Sequence, residues 1–374
     1  MVGYKQTDIG LIPNDWKIDK IFNLSTITTG SKNTQDRIND GNFPFFVRSQ
    51  TVEKINSYSF DGEAVLTAGD GVGTGKIFHY ISGKFDFHQR VYKISHFSNK
   101  LNGFYFYLYF RKNFYNRIMQ MTAKSSVDSV RMEMIADMLI PLPSLQEQES
   151  IAEVLSDTDA LISALEKRIA KRRLIKQGAM QTLLTLKDDW EVKKLGEIGK
   201  ITMGQSPVGT SYTLNKDDIP LINGAVELTP DGIIINKYTN QPTRMSNAGD
   251  LLFCIRATIG NLQYSDKKYC LGRGVSALTV ALNNDKNFVY YQLIRLFIEM
   301  INKSEGGVIK GLRKEDLSNL KFHIPIHLED QKEIGSVLLD IDNEIKALEK
   351  KLSKTKQLKQ GLMQQLLTGK IRLI

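Results

Sequence analysis

Apolar residues recur along two stretches of the chain at spacings that only a helix brings to one face. Ile151, Leu155, Thr158, Ile162, Leu165 and Ile169 are separated alternately by four and three residues, and Ile334, Leu338, Ile341, Ile345, Leu348 and Leu352 repeat that spacing position for position. This is a heptad seam on otherwise polar helices. Lys171-Arg172-Arg173 and Lys354-Thr355-Lys356 interrupt the two seams, which resume at Ile175, Ala179 and Leu183 and at Leu358, Leu362 and Leu366. No proline falls between Pro143 and Pro207 or after Pro325, so both stretches can run unbroken. A narrow apolar stripe must be buried, and the nearest equivalent stripe is the other copy. An antiparallel pair of long helices is the expectation.

The repetition extends beyond the seams. Residues from Leu145 through Thr185 align with Leu328 through Thr368, with Ala164-Leu165-Glu166-Lys167 repeated as Ala347-Leu348-Glu349-Lys350 and Lys176-Gln177-Gly178 as Lys359-Gln360-Gly361. Upstream, Trp16-Lys17-Ile18-Asp19-Lys20-Ile21 with Leu24, Ile27, Thr28 and Gly30 returns as Trp190-Glu191-Val192-Lys193-Lys194-Leu195 with Ile198, Ile201, Thr202 and Gly204. Internal similarity at fixed offsets is the mark of a duplicated architecture. The expected fold is α+β with an approximate internal two-fold. Two similar α/β domains, 1–144 and 187–327, are each followed by a conserved helix, 145–186 and 328–374, the last including a C-terminal tail. Ala64-Val65-Leu66-Thr67 and Leu251-Leu252-Phe253-Cys254-Ile255 read as buried strands. Gly103 to Phe110 and Phe288 to Ile294 each precede a helical-looking stretch, so the two domains are expected to share one fold.

Composition narrows the function classes. Fifty Lys and Arg against 41 Asp and Glu give a net charge of +9, which favours a polyanionic partner without establishing one. No apolar run reaches the ~18–20 residues of a membrane span, and residues 1–15 lack a signal peptide's apolar stretch. With two cysteines, Cys254 and Cys270, there is no disulfide scaffold or zinc cluster. A cytoplasmic protein with free thiols is expected.

Motifs that resemble catalytic sites fail on spacing. Gly69-Asp70-Gly71-Val72-Gly73-Thr74-Gly75-Lys76 lacks the first glycine and the final Ser or Thr of a phosphate loop and reads as a glycine turn able to approach a ligand closely. Pro230-Asp231 with Asp266-Lys267-Lys268 imitates a nuclease pattern, but Pro-Asp-Gly is a turn signature. Among His79, His88, His96, His323 and His327, the one i,i+4 pair flanks Ile324-Pro325-Ile326, where a metal-binding helix is not expected. No catalytic residue and no metal site is assigned.

The order of these elements resembles the DNA specificity subunit of type I restriction-modification systems. Gly10-Leu11-Ile12-Pro13-Asn14-Asp15-Trp16, Ile140-Pro141-Leu142-Pro143 with Glu147-Gln148 and Ile151, Gly249-Asp250-Leu251-Leu252-Phe253, and Lys359 to Gly369 carry the likeness over essentially the whole chain. The resemblance implies two target recognition domains reading the halves of an interrupted site in double-stranded DNA, with the helices as spacer. About 40 helical residues at ~1.5 Å each would bound that spacing at ~60 Å. It also implies no catalysis and no cofactor in this chain. S-adenosylmethionine would belong to a modification (methyltransferase) subunit present in two copies, and ATP and Mg to a restriction (translocase/nuclease) subunit. A coiled-coil scaffold with two protein-binding domains, or a DNA enzyme with an unrecognised site, are the competing readings.

No fixed list of base-reading residues follows from the resemblance, so the candidates come from chemistry: polar and basic residues at strand ends and glycine turns. They are Arg48, Ser49, Gln50, Lys76, Gln89, Arg90, Lys124 and Ser125 in the first domain, and Asn223, Arg244, Arg256, Arg273, Lys310 and Arg313 in the second. Arg pairs with guanine and Asn or Gln with adenine, while phosphate contacts position without reading. Arg131 and Arg313 occupy matching positions and are equally compatible with a structural role. The basic segments Lys167-Arg168, Lys171-Arg172-Arg173 and Lys350-Lys351 fit solvated faces, phosphate contacts or a partner surface.

Overall fold

The structure, a computed structural model, describes residues 3–121, 129–185, 187, 189–229, 232–256, 259–303 and 311–374. The chain forms two compact units, Met1–Leu165 with Lys351–Ile374, and Glu166–Lys350. Four helices organise them: α1 (Gly103–Met121), α2 (Leu145–Leu183), α3 (Lys286–Lys303) and α4 (Leu328–Leu366). The unit boundaries cut α2 and α4 near their middles rather than at their starts, so each unit takes half of each long helix.

In the first unit a six-stranded sheet runs in the order Thr26–Thr29, Val91–Ser95, Phe60–Ala68, Phe78–Phe87, Phe43–Phe46, Glu53–Ile55. Its pairings are antiparallel except that of Phe43–Phe46 with Phe78–Phe87. Alternation divides its faces. Val65 and Ile94 join the core beneath α1, whereas Ala64, Leu66 and Val91 pack with Phe46, Phe85 and Phe87 on the other side. The Phe46 ring lies 5.0 Å from His79 and 5.5 Å from Phe85. Six residues of straight strand would span ~20 Å, so the sheet curls around that ring.

In the second unit an antiparallel sheet runs Gly199–Met203, Val275–Val280, Leu251–Cys254, Leu262–Tyr264. A smaller sheet places Ile219–Ile222 parallel to Cys270–Leu271. Each unit also pairs the strand after its Trp with the strand before its long helix: Lys17–Lys20 with Leu139–Leu142, and Trp190–Lys194 with Lys321–Pro325.

The aromatic runs at Gly103 and Phe288 lie inside α1 and α3 rather than ahead of them. Caps explain this. The Asn102 side chain accepts from the Tyr105 amide (2.9 Å) and Asp285 from the Phe288 amide (2.8 Å), so the helices begin where the chain leaves the sheet. Burial of Tyr105, Phe106, Phe110 and Phe114 then outweighs their strand propensity.

A buried glutamine holds each domain on its long helix. Gln148, fully buried, accepts from the Asn102 amide (2.9 Å) and donates to the carbonyls of Lys100 (2.9 Å) and Pro143 (3.0 Å). Gln331, 2% exposed, accepts from the Asp285 amide (2.9 Å) and donates to the Pro325 carbonyl (3.0 Å).

Within each unit the halves of α2 and α4 run antiparallel. In the first, Ile151 and Leu155 share a core with Leu366 and Leu367, and Lys359 pairs with Asp159. In the second, Ile334 and Leu338 pack near Ala179, Met180 and Leu183, and Lys176 pairs with Asp342 at 2.6 Å. Of the other seam positions, Leu165, Ile169, Ile345 and Leu348 are buried, and Ile162 and Leu352 are half-buried. Ile175 and Leu358 do not resume the seam. They are 39% and 59% exposed, because the repeated lysines Lys176 and Lys359 turn inward to their aspartates instead.

Replacing Gln148 or Gln331 with Ala strands buried amide and carbonyl groups, at about 1–3 kcal/mol each. Gln148→Ala is expected to raise hydrogen exchange in α1 alone and Gln331→Ala in α3 alone, each with a loss of roughly 2–4 kcal/mol in its own unit.

Candidate nucleic-acid interface

Three loops meet at the edge of the first unit's sheet. One follows Phe43–Phe46 and carries Arg48, Ser49 and Gln50. The second is the glycine turn from Gly69 to Lys76. The third, His88-Gln89-Arg90, joins Phe78–Phe87 to Val91–Ser95. Four backbone hydrogen bonds frame them: His88 N to Phe46 O (2.9 Å) and Gly69 N to Arg90 O (2.8 Å) join the loops, Val91 N to His88 O (2.9 Å) closes the third, and Val130 N to Gly69 O (2.7 Å) fixes the glycine turn.

The second unit has the same frame on different residues. Gly272 N donates to Ile222 O (2.7 Å), Val275 N to Gly272 O (3.1 Å), Ile255 N to Gly274 O (2.9 Å) and Leu312 N to Ile255 O (2.9 Å). Gln89 therefore corresponds to Arg273, and Asp70 to Arg256. Side chains make none of these bonds, so they can differ without disturbing the loops. Gly272 is required here, since a Cβ on it would lie 2.2 Å from the Asn223 Oδ1 and 2.8 Å from its Cα.

The frame brings most first-domain candidates together. Arg48 Nη1 lies 2.8 Å from Asp70 Oδ1 and Arg90 Nε 3.7 Å from its Oδ2, with both guanidiniums largely exposed. Gln89 donates to Asn33 Oδ1 (2.6 Å), which holds its amide on the surface. Ser49 binds the Thr51 carbonyl (2.8 Å), and its own carbonyl meets His79 Nε2 (3.0 Å). Gln50 is exposed on the same loop. Lys76 leaves the turn and lies over the Tyr115 ring, 5.3 Å from its centroid. Lys124 and Ser125 lie outside the described residues.

In the second unit Asn223, Arg273 and Arg244 adjoin: the Arg273 amide donates to Ser206 Oγ (3.2 Å), and the Arg244 carbonyl takes the Leu271 amide (2.7 Å). Arg256 is exposed beside Gly311, whose φ of +116° suits glycine. Lys310 lies outside the described residues. Arg313 precedes the one-turn helix Lys314–Ser318, its amide bound by Asp316 Oδ2 (2.9 Å), and Arg131 occupies the equivalent place before Met132–Ala136. Both have backbone capping positions.

Sequence reasoning passed over four contributors. Asp70 orients two arginines, and Val72 stands fully exposed at the turn's tip. Buried Glu227 takes the amides of Asn223 and Gly224 (3.2 Å each). His88 accepts from the Arg90 amide through Nδ1 (2.9 Å). An acid in a glycine turn between basic loops was the available signal for Asp70.

The basic helix segments resolve in part: Arg168 (3.2 Å) and Arg172 (2.9 Å) reach Glu344, and Arg173 reaches Glu349 (2.7 Å). Pro230 and Asp231 are outside the described residues. His323 belongs to the strand Lys321–Pro325, not to a helix with His327. Among the described residues no group of three or more His, Cys, Asp or Glu could hold a metal, and no helix is long and apolar enough to cross a membrane.

The type I restriction modification DNA specificity domain model matches residues 13–172 and 187–359. The putative type I restriction enzyme MjaX specificity subunit of Methanocaldococcus jannaschii is 30% identical over 416 residues, covering 99% of this chain and 96% of that one. The EcoDI specificity subunit of Escherichia coli is 33% identical over 185 residues, 50% of this chain and 40% of its own. The crystal structure of a type I restriction-modification S subunit from M. genitalium superposes with a TM-score of 0.67 over 97% of both chains, at 16% identity. That last likeness is one of fold.

Burial holds both His79 and His88 below the ordinary imidazole range, with Arg48 adding to the effect at His88. The unfolded chain takes up these protons first, near pH ~6.5, so stability falls as pH drops through that range. The urea midpoint of the first unit should therefore decline between about pH 7.5 and about pH 5.5, with a shallower slope in a His79→Gln/His88→Gln variant.

Proposed function

This chain belongs to the type I restriction modification DNA specificity family, and we propose that its two loop clusters each read one half of an interrupted site in double-stranded DNA. The observation that carries this reading is the backbone frame made twice with different side chains on it. A fixed frame presents side chains at set positions, and the side chains choose the bases.

The first cluster offers Arg48, Gln89 and Arg90 about Asp70, and the second offers Asn223, Arg256 and Arg273. Arg suits the O6 and N7 of guanine, and Asn or Gln the N6 and N7 of adenine. Asp70 keeps the Arg48 guanidinium ordered and offers an acceptor to a cytosine amino group. Lys76, with the net charge of +9, supports phosphate contacts that set position. Having no two clusters alike, the halves of the site differ in sequence.

The chemistry is assigned to partners. A modification subunit with S-adenosylmethionine would methylate the site, in two copies matching the duplicated helices, and a restriction subunit with ATP and Mg would translocate and cut. This chain would direct them and catalyse nothing itself. Purified alone with S-adenosylmethionine and DNA, it should transfer no methyl groups; transfer would overturn the assignment.

Exchanging residues 1–144 for those of a relative should change one half of the methylated motif and leave the other, read by long-read methylation sequencing in a host carrying the partner subunits. A change in both halves would show that the clusters do not read independently. Arg273→Ala should relax one position of the second half, at about 1–3 kcal/mol, with the first half unaltered.

A further inference from the structure

The two units treat one equivalent cavity differently. In the first, Arg372 of the C-terminal tail fills it with its side chain only 10% exposed. Its Nε and Nη2 donate to the two oxygens of buried Glu147 (2.6 and 2.9 Å), and Nη1 and Nη2 to those of Asp15 (3.0 and 2.6 Å). The Trp16 indole donates to the same Glu147 (3.1 Å), and the guanidinium lies 5.7 Å from the Trp16 ring. Leu373, next to it, packs on the core of that unit.

The second unit repeats the walls without the arginine. Asp189-Trp190 stands where Asp15-Trp16 does, and Asp330 where Glu147 does. With Glu333, Leu183, Lys187, Ile334 and Val337 they line a cavity of about 300 Å³. After α4 the chain ends in the tail bearing Arg372, whereas the repeat position after α2 is Asp189, leading into the strand Trp190–Lys194. The repeat position of the internal cation thus carries a carboxylate. Asp189, Asp330 and Glu333 are exposed, unlike Glu147, and none of them is in an ion pair among the described residues. Trp190 is 9% exposed, and its indole N–H, which is open to solvent, meets no acceptor among the described residues. Its counterpart Trp16 does.

We propose that this cavity is a docking site for an arginine side chain presented by a protein partner, with aliphatic neighbours as Arg372 has in Ile371 and Leu373. Charge supports the arginine: three carboxylates against Lys187 leave the cavity acidic, and a planar guanidinium can pair with carboxylates two bonds at a time while stacking on an indole. The half-exposed Val337 on the rim favours a peptide segment over a small guanidinium compound. The site lies on the repeated helix and strand rather than on the loops, so it does not depend on which bases are read.

The test is titration of the ¹⁵N-labelled full chain with acetyl-Ile-Arg-Leu-amide, following the indole N–H resonances, with that of Trp190 identified by its loss in Trp190→Phe. A saturable shift of Trp190 and none of Trp16 is expected. Asp330→Asn/Glu333→Gln should weaken binding about tenfold or more, as loss of a charge-assisted hydrogen bond does, with the rest of the spectrum retained. Three results would overturn the proposal: an unmoved Trp190, an equal response to the citrulline peptide, or unchanged affinity in the variant. N-acetylarginine amide binding as tightly as the tripeptide would assign the cavity to a small guanidinium compound and overturn the protein partner.

Discussion

A glutamine buried at the start of each long helix is the contact on which the rest depends. A buried primary amide must find both donors and acceptors or cost several kcal/mol. Gln148 and Gln331 meet that demand with the backbone at the entrance to α1 and α3 and with the proline carbonyl just ahead of their own helix. The requirement is directional, so it fixes where the domain's helix begins relative to the long helix beneath it. Asn102 and Asp285 then cap those helices, whose aromatic faces lie on the sheet. Gly335 permits the approach in the second unit, where a Cβ would meet Asp285 and the Phe288 amide within 3 Å.

From that anchor the loop clusters inherit their positions. Each has a frame of backbone bonds, and each is backed by a strand-and-helix core of its own unit, so the frame itself does not require particular outer side chains. This separation is what a recognition surface needs. Arg48, Gln89 and Arg90 in one unit and Asn223, Arg256 and Arg273 in the other occupy one scaffold while offering different hydrogen-bonding patterns. Other arginines pair with glutamates on the long helices, where Arg168, Arg172 and Arg173 meet Glu344 and Glu349. Composition alone does not separate those two populations.

The long helices show how charge completes an incomplete seam. Where apolar spacing lapses, Lys359 meets Asp159 and Lys176 meets Asp342, the same pair made once in each unit. Opposite charges at fixed positions select the antiparallel register that places them together, since other registers leave half-buried charges unpaired. Tyr291 reinforces the second pair by donating to Asp342 (2.7 Å).

The sequence by itself determined the duplication, the two long helices and the family, because offsets and heptad spacing are local, periodic properties that survive divergence. It determined the strands around Val65 and Phe253 for the same reason. Only the tertiary structure decided that the aromatic runs at Gly103 and Phe288 are helical, that the units divide within the helices, and that Ile175 and Leu358 face water. These turn on local caps together with a core or an ion pair supplied by residues far away in the chain. The same holds for the candidate interface. Residue type picked out Arg48, Gln89 and Arg90, but Asp70 joins them only because the curled sheet brings three loops to one edge. Lone side chains carry no sign of such company; it arises when distant backbone groups must satisfy one another out of water.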